Sequence, residues 1–152
     1  MTGNFAASFP SLGQKFVITS PYDEEYNCIA WSLNDTTRWW WPADPLAGSM
    51  WPGSYWPPLT PPEPTLASFK GMYEGFGFEV TDELGREDGF DKIAIYANSG
   101  GVTHAARMWV EDSGWSSKLG KSNDIVHHTL AALEGPVYGK AIVVMRRRRP
   151  RV

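Results

Sequence analysis

The stretch that decides the fold is Lys92-Ile93-Ala94-Ile95-Tyr96-Ala97-Asn98-Ser99-Gly100-Gly101-Val102-Thr103-His104-Ala105-Ala106-Arg107-Met108-Trp109-Val110. Lys92 to Ala97 is an apolar run of strand length. Asn98 to Gly101 are turn formers, and Val102 to Val110 reads as a second strand. Glu111-Asp112-Ser113-Gly114 is the next turn, followed by a third strand from Trp115 to Leu119. Short turns between strands mean antiparallel pairing, so the segment is a meander with His104 on its middle strand. If residues 111 and 114 pair across a tight second turn, His104 faces about residue 121. Its diagonal neighbour is then Asn123, with Asp124 adjacent. A slip of one residue changes these partners.

Working outward, Ile125 to Leu133 begins as a strand and finishes as a short helix. Val137 to Met145, with Ala141-Ile142-Val143-Val144, is a final buried strand. On the N-terminal side, Asn27 is a good helix N-cap and Cys28 falls in the first turn. Ile29, Ala30 and Leu33 give that helix a core-facing side, and Asn34-Asp35-Thr36-Thr37 ends it. A second helix spans Thr65 to Gly75, with Leu66, Phe69, Met72 and Tyr73 on one face. Phe76 to Val80 enters a short strand or turn, and Leu84 to Gly89 is a loop.

Between the helices lies Arg38 to Pro64, which holds Trp39-Trp40-Trp41-Pro42, Trp51-Pro52, Trp56-Pro57-Pro58 and Pro61-Pro62-Glu63-Pro64. Proline blocks regular elements here, yet five of the eight tryptophans fall in this segment. Aromatics on that scale demand burial. The segment is therefore an ordered loop wrapped over the body of the domain. Its tryptophans either pack the core or form an aromatic wall beside Cys28, suited to stacking on carbohydrate or peptide. Helices and loop first, then an antiparallel sheet, make an α+β fold.

The chain has 152 residues, one domain by length. Residues 1–14 are expected to be flexible and 146–152 to form a basic tail, its arginines solvated. A net charge of −3 gives no nucleic-acid signal. No stretch approaches the roughly 20 apolar residues of a membrane span, so no membrane insertion is expected. The first residues lack the basic and apolar regions of a secretory signal. One cysteine excludes an internal disulfide and fits a reducing compartment. The expected location is cytoplasmic, or secreted by a route independent of a signal peptide.

The lone Cys28 and the distant His104 suggest a thiol nucleophile and its base, far apart in sequence and adjacent in the fold. The competing readings are a thiol that fills the core and a satisfied core histidine. A helix N-terminus would favour the thiolate of Cys28. Asp124, or Asn123, would hold the far nitrogen of His104, with Ser117 as the fallback. The substrate-binding or oxyanion set is Tyr22, Tyr26, Asn27, Trp31, Trp41 and Ser117. Lys118 reads as a snorkelling surface lysine, with a substrate clamp as the alternative. A metal site drawn from Cys28, His104, Asp124, His127 and His128 has ligand types that suit zinc. His127 and His128, however, point to opposite faces of a strand, and no metal or other cofactor is expected.

The order of Cys on an early helix, His on a sheet strand and a polar residue after it resembles the papain-like fold, nearest in size to NlpC-type and CHAP-type amidohydrolases. The strings NCIAWSLN, WWWP, KIAIYA, THAARM and WSSKLGKSNDIVHH look like an uncharacterised family of small bacterial domains. That likeness covers most of residues 26–146, with Cys28, His104, Ser117, Lys118, Leu119, Gly120, Asp124 and His127 at motif positions. The resemblance implies a papain-like fold and a cysteine hydrolase: an amidase, peptidase or deamidase, a bacterial effector or toxin-like enzyme included, acting on a peptide or amide-containing substrate and answering to an inhibitory partner protein. Cys28 lacks the Asp-Cys-Ser/Thr setting of NlpC enzymes, and the third catalytic residue has no single match. The alternative is a non-enzymatic binding module with an aromatic recognition loop. The two part on one observation: whether the Cys28 sulfur meets the His104 imidazole or packed side chains separate them.

Overall fold

The structure is a computed structural model and describes residues 9–10, 12, 16–42, 55–58, 60–119 and 123–149. In chain order the elements are β1 (Phe16–Ile18), α1 (Cys28–Ser32), α2 (Leu66–Gly75), β2 (Glu79–Thr81), β3 (Phe90–Asn98), β4 (Gly101–Met108), β5 (Trp115–Lys118), β6 (Asp124–His127), a 3-10 helix (Leu130–Leu133) and β7 (Lys140–Arg148). All seven strands join one antiparallel sheet in the order β1-β6-β5-β4-β3-β7-β2.

This corrects the papain-like α+β expectation. The two α-helices are short, five and ten residues, and the sheet dominates. The meander, the helix at Cys28, the helix at 66–75 and the last strand stand where the residue pattern puts them; the architecture they build is different. Asn27 caps α1, accepting from Ala30 N–H at 3.1 Å. Asn34, at φ 62°, stands just past its end. Thr65 caps α2.

Each face of the sheet carries its own core. One gathers Cys28, Ile29 and Ala30 of α1, Phe69, Met72 and Tyr73 of α2, and Ile93, Ile95 and Ala105 of the sheet. The other gathers Phe9, Leu12, Ala94, Tyr96, Ala106, Trp115, Ile125 and Leu133. Strand alternation produces this sorting: Ile93 and Ile95 face one way, Ala94 and Tyr96 the other. A bulge between Tyr96 and Ala97 resets the register with β4.

The Trp-rich segment packs inward where it is described. Trp40 is buried and lies edge-on to Tyr55 at 4.6 Å. Trp41 and Trp56 meet Phe69 at 5.5 and 5.1 Å. Residues 43–54, Trp51 among them, lie outside the described residues, as do most of residues 1–14.

Arg146, Arg147 and Arg148 belong to β7, not to a solvated tail. Arg146 pairs with Glu87 at 2.6 Å, and Arg147 and Arg149 clamp the buried Asp91 at 3.0 and 2.6 Å. Residues 150–152 lie outside the described residues. Among the described residues no helix is long and apolar enough to cross a membrane.

Candidate functional site

The register of β4 on β5 governs the site. Arg107 stands opposite Ser116, two residues away from the tight-turn expectation. The cause is Asp112, which folds back on its own strand. It accepts from Trp109 N–H at 2.9 Å and pairs with Arg107 at 3.0 Å, which removes the 109–114 turn from the ladder.

Cys28 and His104 lie on opposite faces of the sheet. Cys28 packs in the core that includes Ala105. His104, the preceding residue on β4, points the other way. It stands opposite Tyr96 in the register and stacks on Tyr138 at 4.0 Å, 11° from parallel. His104 Nε2 is taken up by Ser117 and its Nδ1 has no hydrogen bond, so neither imidazole nitrogen is bonded to the Cys28 thiol.

Asp124 does not orient His104 either. It sits on the Cys28 face, directly opposite Lys118 in the β5–β6 ladder, and accepts from the Tyr26 hydroxyl at 2.7 Å. The far partner of His104 is Ser117, at 3.0 Å from Nε2. Ser117 also meets His127 Nε2 at 2.8 Å, and His127 Nδ1 lies 2.9 Å from the Thr129 carbonyl. A carbonyl only accepts, so neutral His127 carries its proton on Nδ1. Its Nε2 then accepts from the Ser117 hydroxyl, and Ser117 accepts from His104 Nε2–H. The chain of bonds leaves His104 Nδ1 as a buried acceptor with no partner. Burial holds both imidazoles neutral: His104 well below its ordinary range, and His127 down to about 4.

The Cys28 face holds a different set. Lys118 is fully buried. Its ammonium donates to the Asp23 carbonyl at 2.5 Å and lies 4.8 Å from the centre of the Tyr26 ring. This corrects the surface expectation for Lys118. Asp124 is buried, and its Oδ1 has no hydrogen bond. Burial pushes the Asp124 carboxyl up and the Lys118 ammonium down, while each charge favours the ionised form of the other. Burial also pushes the Cys28 thiol up to about 11. The backbone N–H groups of Ala105, Ile29 and Cys28 and the charge of Lys118 pull only part of the way back. The expected thiolate does not follow, because α1 is one turn and a half long and its first residue is 6% exposed.

Tyr22 is exposed and bonded to Glu24, away from the cluster. Asn27 is spent on structure: besides capping α1 it accepts from Trp40 N–H and donates to the Trp40 carbonyl. Trp31 borders the cluster, 6.0 Å from Tyr26, with the Arg107 guanidinium 3.7 Å from its ring centre and its indole donating to Ser116. Trp41 is taken up by Phe69 in the core. The sequence signal that would have found Lys118 is alternation: Ser116 and Lys118 share a face, and Asp124 sits across from Lys118.

Among the described residues no group of three or more His, Cys, Asp or Glu side chains is arranged to hold a metal. No curated protein and no solved structure matches the chain. The family match that exists gives no link to NlpC-type or CHAP-type enzymes. It covers residues 17–146, from β1 into β7 and so both faces just described, and on that match the chain belongs to the family described as a domain of unknown function, DUF7689.

Proposed function

We propose that the chain is a thiol-dependent hydrolase of amide bonds in which Lys118, rather than His104, serves the Cys28 thiol. The observation that carries this is the buried cluster of Cys28, Lys118, Asp124 and Tyr26 on one sheet face, with one carboxylate oxygen unpartnered. Burying charge costs several kcal/mol per ion, of order, and a hydrophobic core has no need of it. Charged groups with displaced protonation equilibria beside a nucleophile mark a functional site. Burial favours the neutral amine of Lys118, the form that accepts a proton.

In the proposed step Lys118 takes the thiol proton as Sγ attacks the substrate carbonyl carbon. The C–N bond breaks, the leaving amine receives the proton from the Lys118 ammonium, and a thioester remains on Cys28. Water then hydrolyses the thioester and restores the thiol. Asp124, held by the Tyr26 hydroxyl, stands opposite Lys118 and favours the ammonium that forms, while the Asp23 carbonyl and the Tyr26 ring hold Lys118 in place. A peptide or side-chain amide fits this chemistry.

The test is intact-mass labelling with a peptidyl chloroacetamide at pH 8. One adduct on Cys28 of the folded chain is expected, at least tenfold slower in Lys118→Met and within twofold of the native rate in His104→Asn, with melting of each variant checked. A folded chain that resists labelling until it is unfolded overturns the proposal. So does a Lys118→Met rate equal to the native one.

A further inference from the structure

A concavity of about 660 Å³ lies on the His104 face of the sheet. Its size falls in the range of small-molecule sites. Met108 of β4, Trp115 of β5 and Ala141 of β7 make its floor, and Leu84 and Leu130 its walls. None of these belongs to the thiol cluster.

The wall is fastened before any ligand arrives. Lys92 is fully buried, donates to the carbonyls of Glu83 and Gly85, and pairs with Glu87 at 2.9 Å. That holds the 83–86 loop against the sheet. Arg86 donates to the Val110 carbonyl at 3.2 Å and to the Asp112 carbonyl. A guanidinium has five N–H donors, so these two carbonyls do not exhaust it. A fixed wall lowers the ordering cost of binding.

Charge is divided along the rim. Arg86 stands at the β4–β5 turn beside Ser113 and Gly114, and Gly114 packs near the His127 backbone, which brings His128 to the same end. The rim carboxylate, Glu134, is taken up by the Ala141 N–H at 3.0 Å. The cleft therefore has an apolar body and a cationic end with donors to spare.

We propose that this cleft binds a small amphipathic anion, an aromatic or alicyclic carboxylate. Its ring lies on Met108, Trp115 and Leu130, and its carboxylate meets Arg86. The site is independent of the chemistry at Cys28.

The test is calorimetric titration with 2-naphthoate and with 2-naphthalenemethanol, which differ in the anionic group. The native chain binds the carboxylate at least tenfold more tightly than the alcohol. Arg86→Gln removes that preference. Ala131→Trp, on an exposed wall position of the 3-10 helix, abolishes binding of both, and Ser113→Trp does the same from the other wall should the first variant melt early. Cys28→Ser changes none of this, which separates the site from the proposed hydrolase. No heat with either compound at millimolar concentration overturns the proposal. Equal affinities for the two compounds in the native chain, or undiminished binding in a folded filled variant, do so too.

Discussion

The two faces of the sheet take adjacent residues of the same strands and put them to opposite uses. Ser116 accepts the Trp31 indole on the thiol face, while Ser117 joins two imidazoles on the other. Ala105 lies against Cys28, while His104 stacks on Tyr138. On the histidine face His104, Ser117 and His127 are neutral and linked in series, a chain that ties β4, β5, β6 and the start of the 3-10 helix together and ends on the unpartnered His104 Nδ1. On the thiol face the cluster holds an ammonium and a carboxylate, Lys118 opposite Asp124, and Asp124 Oδ1 too is left without a bond. A linked neutral chain stabilises and specifies the fold. A charged cluster that leaves an acceptor open is what a fold tolerates where it works on a substrate. The proposed hydrolase draws on the charged cluster, while the His104 face joins its linked chain to the proposed binding cleft.

Acid breaks the histidine face first, and this is the largest effect expected. A buried imidazole whose folded pKa is depressed contributes stability that is present above the unfolded value, near 6.5, and lost as pH falls through the folded value. For His127 the window runs from 6.5 down to about 4, worth about 3 kcal/mol at one unit per 1.4 kcal/mol. His104, displaced in the same direction by burial and by His127, adds to it. Urea unfolding between pH 7 and 4 should show this loss, and His127→Gln should flatten it. A stability independent of pH across that range would show that the imidazoles are not held neutral.

Most elements were legible in the residues because each rests on local signals. Asn98 to Gly101 marks the β3–β4 turn, Asn27 caps α1, and the spacing of Leu66, Phe69, Met72 and Tyr73 marks α2. The architecture was not legible, because α1 is too short to act as the helix of a papain-like fold, and a five-residue helix looks like the start of a longer one in sequence. β1, which pairs with β6 at one edge, has three residues and no pattern of its own. The site turned on a two-residue error of register and on the side that His104 faces. The register depends on Asp112 folding back across the turn, and the face on which α1 packs is a second tertiary choice; turn composition reveals neither. Lys118 was misplaced for a related reason: a lysine reads as surface until its cross-strand partner, Asp124, is known.

Alkali acts on the thiol face, with a smaller effect. The folded Cys28 thiol is raised to about 11 by burial, from an ordinary value of 9. Its stability contribution is therefore full below pH 9 and lost as pH rises through 11. Two units correspond to about 2.7 kcal/mol. Thermal melts from pH 8.5 to 10.5 should fall more steeply for the native chain than for Cys28→Ala, while His127→Gln leaves the slope unchanged. A slope shared by native and Cys28→Ala chains would mean that the thiol is hydrated, and the contrast between the faces would weaken.

The smallest effect sharpens the contrast at the entrance to α1. Asn27 Oδ1 accepts from both Ala30 N–H and Trp40 N–H at 3.1 Å, and Nδ2 donates to the Trp40 carbonyl at 2.7 Å. It thus fixes the helix start and the first turn of the Trp-rich segment against the thiol face, without touching the histidine chain. Asn27→Ala removes the cap and should cost about 1–2 kcal/mol. Asn27→Asp keeps the acceptor for both N–H groups but turns the donor toward Trp40 into a carboxylate oxygen facing a carbonyl. The aspartate is therefore expected to retain the helix and loosen the tryptophan segment. The readout is Trp fluorescence against far-ultraviolet dichroism: a red shift without loss of helix in Asn27→Asp, and both changes in Asn27→Ala. The acid transition of the histidine face should be unmoved in either. If Asn27→Asp shifts that transition, the two faces communicate through β4 and cannot be treated as separate working parts.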